Sequence, residues 1–166
     1  MKVLQIVGFK NSGKTTISKE VIHYFSRKGV QIGSLKNHGH GGIPAGIEST
    51  DSEQHRDAGS TVAGVLGENV FQLTHGSKWE ISDMLEIYKK LSIELLVMEG
   101  FKELDFPKLV LLRNQDDLSL LTSLKNIIGI IKSNDLHIED FDIPVFDNDN
   151  PEVICQWVYH HYLEGM

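Results

Sequence analysis

"GFKNSGKTT", residues 8–16, decides the fold of this 166-residue chain. The apolar run from Lys2 to Val7 before it is a short buried strand that ends at Gly8. After it, Ile17, Val21, Ile22 and Phe25 recur at helical spacing until Gly29, which predicts a helix over Thr15 to Lys28. Between the two elements, Gly8 to Thr15 fits the strand–GxxxxGK[ST]–helix pattern of a phosphate-binding loop. The residue types follow from the chemistry. Glycines let the backbone turn tightly and approach phosphate oxygens. Successive N–H groups then point into one concavity, and the helix start adds its unpaired N–H groups and the positive end of its dipole. The expected phosphate-facing residues are Gly8, Lys10, Asn11, Ser12, Gly13, Lys14, Thr15 and Thr16. Lys14 is expected to reach the β- and γ-phosphates, and the Thr15 hydroxyl to meet Mg²⁺.

Composition narrows what such a loop can serve. Hydrophobic residues make up 40% and charged residues 23%, as in an ordinary globular domain. The net charge of -7 argues against a broad nucleic-acid or membrane surface, while leaving room for a local basic pocket. Cys155 is the single cysteine, so an intrachain disulfide and a Cys₄ zinc site are both excluded. The N-terminal apolar run is too short for a signal sequence, and no run approaches membrane-spanning length; the cytosol is the expected compartment.

Outward from the loop, Val30 to Leu35 reads as a second strand, and the glycine-rich residues 37 to 50 as a long loop. Ser52 to Ala58 is compatible with a short helix. Thr61 to Leu66 and Asn69 to Leu73 form strands of a hairpin around Gly67. Ser82 to Leu91 is amphipathic, with Met84, Leu85, Tyr88 and Leu91 on one side. Further strands are Glu94 to Met98, Leu109 to Leu112 and Ile127 to Ile131, with a turn of helix within Asp116 to Ser123. Asn150 and Pro151 open a last helix whose apolar face carries Val153, Ile154, Trp157, Val158 and Tyr162. Asp147 to Asn150 reads as a turn plus that helix cap. Strands alternating with helices predict one α/β domain over residues 1–166, a mostly parallel sheet flanked by helices with a β-hairpin excursion.

Three more stretches carry chemistry. In "ELLVMEGFK" four apolar residues end at Glu99, where a carboxylate can complete the Mg²⁺ shell, orient a water or act as a base. Glu99 and Lys14 are therefore the candidate catalytic residues, and Lys102 is either a solvent charge or a pocket cation. In "LKNHGHGG", Lys36, His38 and His40 are candidate phosphate donors, with a metal at His38 and His40 as the alternative. Asp51 either caps the short helix or joins Thr15 and Glu99 around Mg²⁺. The Asn-Lys-x-Asp guanine signature is absent, and "KSND" at 132 to 135 is a faint echo of it, so these residues leave guanine and adenine both open.

Taken in order, "GFKNSGKTT", "SLKNHGHGG", "STDSEQHRDAGS", "VMEGFKELDFPKLVLLR" and "FDNDNPEV" resemble the MobB family of molybdopterin-guanine dinucleotide biosynthesis adaptor proteins nearly end to end. The resemblance implies a P-loop NTPase fold, GTP binding with Mg²⁺, weak hydrolysis at most, a homodimer, and a role beside a MobA-type molybdopterin guanylyltransferase. It places the triphosphate on Gly8 to Thr16, Glu99 at the metal and γ-phosphate, and Asp51 with the Lys36–His38 region along the cleft. Pro107, Lys108 and Arg113 match the family stretch that follows the E-G-F-K motif. After the second strand the family often reads Lys-His-[Thr/Asp]-His-His, where this chain has Lys36-Asn37-His38-Gly39-His40. The same loop also suits a small-molecule kinase, an ATP-dependent ligase, or a scaffold with a structural nucleotide. Three arginines in the whole chain, Arg27, Arg56 and Arg113, count against the arginine-rich lid of a kinase.

Overall fold

The computed structural model describes residues 1–38, 50–138 and 141–163. The chain divides into two compact units, one formed by Met1–Asn37 with Tyr88–Met166 and the other by His38–Ile87.

The first unit is built on a six-stranded sheet. Its strands are β1 (Lys2–Gly8), β2 (Ile32–Lys36), β5 (Leu95–Glu99), β6 (Lys108–Leu112), β7 (Ile127–Lys132) and β8 (Val145–Asp147), in the order β2-β5-β1-β6-β7-β8. Every ladder in it is parallel. All five residues of β5 and of β6 are buried, as are six of the seven in β1, which is why these strands read as near-continuous apolar runs. Alternation within each strand separates two cores. Leu4, Ile6, Leu109 and Leu111 face Ile17, Val21 and Phe25 of α1 (Lys14–Arg27) and Ile154, Cys155 and Val158 of α5 (Pro151–Val158). Val7, Val110, Leu112 and Ile130 face Leu120 of α4 (Ser119–Ser123) and Leu136. A short 3₁₀ turn, Gln115–Leu118, leads into α4, and a wider π turn, Tyr159–Leu163, follows α5.

Parallel strands put their carboxyl ends on one edge. Ile6 and Lys36 both stand level with Glu99, and Gly8 with Leu111, so the ends of β1, β2 and β5 converge where ligands of open α/β sheets bind. β8 is an addition to the expected elements: Asp147, expected in a turn, ends a strand paired with β7. Three residues with one half-buried aromatic, Phe146, are too short to show a period.

The second unit contains α2 (Asp51–Asp57) and an antiparallel hairpin of β3 (Val62–Leu66) and β4 (Phe71–His75), as expected. The helix cap differs from expectation. Thr50, with extended backbone, accepts from the Glu53 N–H through its hydroxyl, and Asp51 is the first helical residue. A hydroxyl one residue earlier reaches the same donor, so Asp51 instead places a negative charge in the first turn, where the dipole favours it. Helix α3 (Ile81–Lys90) begins in this unit and ends in the first.

Candidate functional site

The loop between β1 and α1 takes the shape its sequence demands. Asn11 and Gly13 have left-handed backbone, φ 60° and 90°, and Gly13 caps α1. At Gly8 a Cβ would collide with the Ser12 hydroxyl and lie 3.1 Å from the Leu111 carbonyl oxygen, so the loop packs against β6 only with glycine there. The Ser12 Oγ is buried, with no hydrogen-bond partner among the described residues. Lys14 Nζ donates back across the loop to the Phe9 carbonyl at 2.6 Å.

The end of β5 meets the start of α1. The Thr15 hydroxyl donates to Glu99 Oε1 at 2.9 Å. Lys36 Nζ, from the end of β2, lies 2.9 Å from the same carboxylate oxygen and donates to Thr15 Oγ1 at 3.0 Å. Glu99 is buried, and backbone bonds from Asn37 N–H to its carbonyl and from Gly100 N–H to the Ile6 carbonyl hold the strand end. Three residues far apart in the chain, all expected at a phosphate site, are thus brought together by the register of three strands.

The surroundings are cationic in a chain of net charge -7. Burial lowers the Lys14 pKa; Glu99 opposes this, while Lys102, Lys36 and Arg113 push the same way as burial. Lys102 lies over the Phe9 ring, 3.9 Å from its centroid, with its pKa lowered by burial against the pull of Asp117 and Glu103. The ring contact places its ammonium beside the loop. Arg113 ties the loop to the far side: it donates to the Lys10 carbonyl at 2.8 Å and grips both oxygens of buried Asp117 at 3.1 and 3.2 Å.

Some placements were not legible beforehand. The Arg113–Asp117 brace left no pattern beyond two charges four apart. Gln5 did leave one, as a polar residue in an apolar strand. It is fully buried, donates to the Phe101 carbonyl at 2.8 Å and accepts from the Phe106 N–H at 3.3 Å, anchoring the segment after Glu99. Lys108 is also fully buried, its ammonium satisfied by the carbonyls of Leu104, Phe106 and Lys125 at 2.7–3.0 Å, so it braces the β5–β6 connection. His38 and Asp51 belong to the second unit, where both are exposed and Asp51 Oδ1 accepts from Gln54 Nε2 at 3.4 Å. His40, the other half of the histidine pair, lies outside the described residues. Among the described residues no group of three or more His, Cys, Asp or Glu is placed to hold a metal ion.

A phosphate chain with Mg²⁺ fits this donor set. The buried Ser12 hydroxyl has no hydrogen-bond partner among the described residues. Thr15 and Glu99 offer hard oxygens of the kind Mg²⁺ prefers, 2.9 Å apart. Neighbouring ligands of an octahedral ion with bonds of about 2.0–2.1 Å stand at about that separation. Thr15 and Glu99 would hold the metal, which would supply charge neutralisation between phosphate oxygens. Lys14, Lys36 and the loop N–H groups would orient the phosphates.

A parallel sheet with a glycine-lysine-threonine loop between its central strand and first helix defines the P-loop NTPase-like class of α/β folds. Within it, a family model described as "Molybdopterin guanine dinucleotide synthesis protein B" (MobB) matches residues 3–133. The chain belongs to the MobB family. It is 39% identical over 154 residues to a protein of Bacillus subtilis (strain 168) named "Probable molybdopterin-guanine dinucleotide biosynthesis adapter protein", covering 92% of this chain and 88% of that one. The crystal structure of Bacillus subtilis MobB superimposes with a TM-score of 0.81 at 35% identity, covering 95% of this chain and 96% of the other. The MobB homologue from Bacillus stearothermophilus gives 0.76 at 29% identity, covering 95% of each chain.

Proposed function

We propose that this chain binds GTP with Mg²⁺ at Gly8–Thr16, Lys36, Glu99 and Lys102, and acts as an adaptor in molybdopterin-guanine dinucleotide biosynthesis. Its partner in this proposal is a MobA-type guanylyltransferase that joins GMP to molybdopterin, and its own hydrolysis of GTP is slow. The observation that carries the proposal is the gathering of Lys14, Lys36, Lys102 and Arg113 around one positive-φ loop in an otherwise acidic chain. Like charges are held together there at electrostatic cost, which an anion of the charge of a triphosphate relieves. Arg113 is occupied by Asp117 and the Lys10 carbonyl, so it braces the loop rather than clamping a transferred phosphate. That favours slow hydrolysis over a kinase.

A homodimer is part of the proposal. The hairpin exposes Leu66, Val70 and Phe71 at 81%, 69% and 64% of their surface, and no third strand pairs with it among the described residues. A two-stranded hairpin with open edges and bare apolar residues gains stability from a second copy.

Calorimetric titration with GTP and with ATP, each with Mg²⁺, tests the proposal. Selective GTP binding is expected, followed by capture of the guanylyltransferase in a pull-down with purified components. Preferential ATP binding would overturn the adaptor assignment in favour of a kinase or an ATP-dependent ligase. Glu99→Gln is expected to retain nucleotide binding and to slow hydrolysis at least about 100-fold, the lower end of the scale for loss of a positioned base. Unchanged turnover would remove Glu99 from the chemistry.

A further inference from the structure

The Lys36 ammonium touches both oxygens on which a bound Mg²⁺ would depend. Its Nζ is 2.9 Å from Glu99 Oε1 and 3.0 Å from Thr15 Oγ1, and those two oxygens are 2.9 Å from each other. The three contacts close a nearly equilateral triangle with the cation at one corner. We propose that Lys36 is a tethered cation that competes with Mg²⁺ for the Thr15–Glu99 pair and passes to the nucleotide phosphates when the metal binds. This rests on the nucleotide assignment above and adds to it an exchange of cations.

Geometry forces the exchange. A metal with bonds of about 2.0–2.1 Å to both oxygens lies within about 4 Å of the present Nζ position, whichever side of the oxygen pair it takes. A divalent and a monovalent cation that close repel each other. One of the two must yield. Lys36 is the partner able to move: its side chain is 61% exposed on a flexible four-carbon stem, whereas that of Glu99 is 11% exposed on a strand end. Phosphate oxygens beside Lys14 offer the ammonium a new counter-charge, and Lys14 already feels Lys36 electrostatically.

Two consequences of opposite sign follow. When no metal is present, Lys36 neutralises Glu99, which would otherwise repel a polyphosphate, so it supports metal-free nucleotide binding. When metal is offered, Lys36 opposes its entry. A residue that only bound phosphate would weaken nucleotide binding equally with and without metal and leave the metal affinity of the complex unchanged.

The experiment uses the full chain with a fluorescent GTP analogue, titrated in EDTA and in Mg²⁺, and Mn²⁺ binding to the GTP complex followed by electron paramagnetic resonance. In Lys36→Met, metal-free affinity is expected to fall about ten-fold, the scale of one charge-assisted hydrogen bond. The Mn²⁺ concentration for half-saturation is expected to fall by about the same factor, because the competitor is gone. Lys36→Arg, which keeps the charge, is expected to retain metal-free affinity. Lys36→Gln repeats the measurement with a polar, uncharged side chain and is expected to behave like Lys36→Met. Nucleotide binding weakened as much with metal as without, which leaves Mn²⁺ affinity unchanged, or weakened more with metal, which lowers it, would overturn the competition and leave the nucleotide site standing. Failure of the unsubstituted chain to bind nucleotide in either buffer would overturn the nucleotide assignment itself, and this inference with it.

Discussion

Two five-residue strands of this chain, KLVLL in β6 and VAGVL in β3, are both aliphatic and suited to a sheet, yet they meet opposite fates. Every residue of β6 is buried, whereas in β3 only Ala63 is. The difference lies in what surrounds them. β6 has a strand on each side and a core on each face; among the described residues β3 pairs with β4 alone. Burial belongs to the layer and not to the strand: the same aliphatic residue types are covered where a core lies on each face and left exposed where, among the described residues, none does.

Substitutions can break or sharpen that contrast. The largest effect is expected in the sheet. Leu109→Ala should cost about 2–5 kcal/mol by urea denaturation, because Leu109 is fully buried among α1, α5 and the neighbouring strands. A cost below about 1 kcal/mol would mean the core collapses around the gap more readily than its packing suggests. Lys14→Ala comes next, and its effect is on ligand rather than on fold. Nucleotide affinity should fall at least about 100-fold, since charge-assisted bonds to phosphate are lost, with the unfolding transition little changed. Loss of the fold with binding intact would refute the role given to the loop.

In the hairpin the contrast should reverse. Phe71→Ser should leave the stability of the isolated chain within about 1 kcal/mol, because the ring is already mostly exposed. Analytical ultracentrifugation should nevertheless show the variant shifted towards monomer. An unchanged dimer would place the interface elsewhere.

The smallest effect concerns the brace under the loop. Burial pushes the Asp117 pKa up, but hydrogen bonds from Arg113 and the backbone outweigh it and hold the carboxyl below its ordinary value of 3.8. A carboxyl depressed in the folded state contributes stability above its unfolded pKa and loses it as pH falls through the folded pKa. Acid should therefore erode wild-type stability below about pH 4. Asp117→Asn should be less stable near neutrality and should lack that part of the acid sensitivity, as followed by circular dichroism.

Much of the site was legible because it is local or periodic. The loop at Gly8–Thr16 needs only its own residue types and the two elements flanking it. Glu99 stands out as a candidate because a carboxylate directly after four apolar residues is conspicuous at a strand end. The Thr50 cap was missed for Asp51 since both residue types cap helices and one position separates them. β8 was missed because three residues at a sheet edge carry too little periodicity, and Lys108 gave no sign that its ammonium would be enclosed by three carbonyls. The pairing of β8 with β7 and the Lys125 carbonyl at Lys108 depend on neighbours farther along the chain, whereas the Thr50 cap is a local choice between adjacent residues.

The sequence by itself determined that a strand, a glycine-bearing loop and a helix would follow one another near the N-terminus, and that the strands would be largely parallel. Local sterics and apolar spacing suffice for both. Only the tertiary structure decided that Thr15, Lys36 and Glu99 would meet within 3.0 Å, because that meeting is set by the register of β1, β2 and β5. Register is a property of paired strands, and a one-residue slip would turn Glu99 to the opposite face.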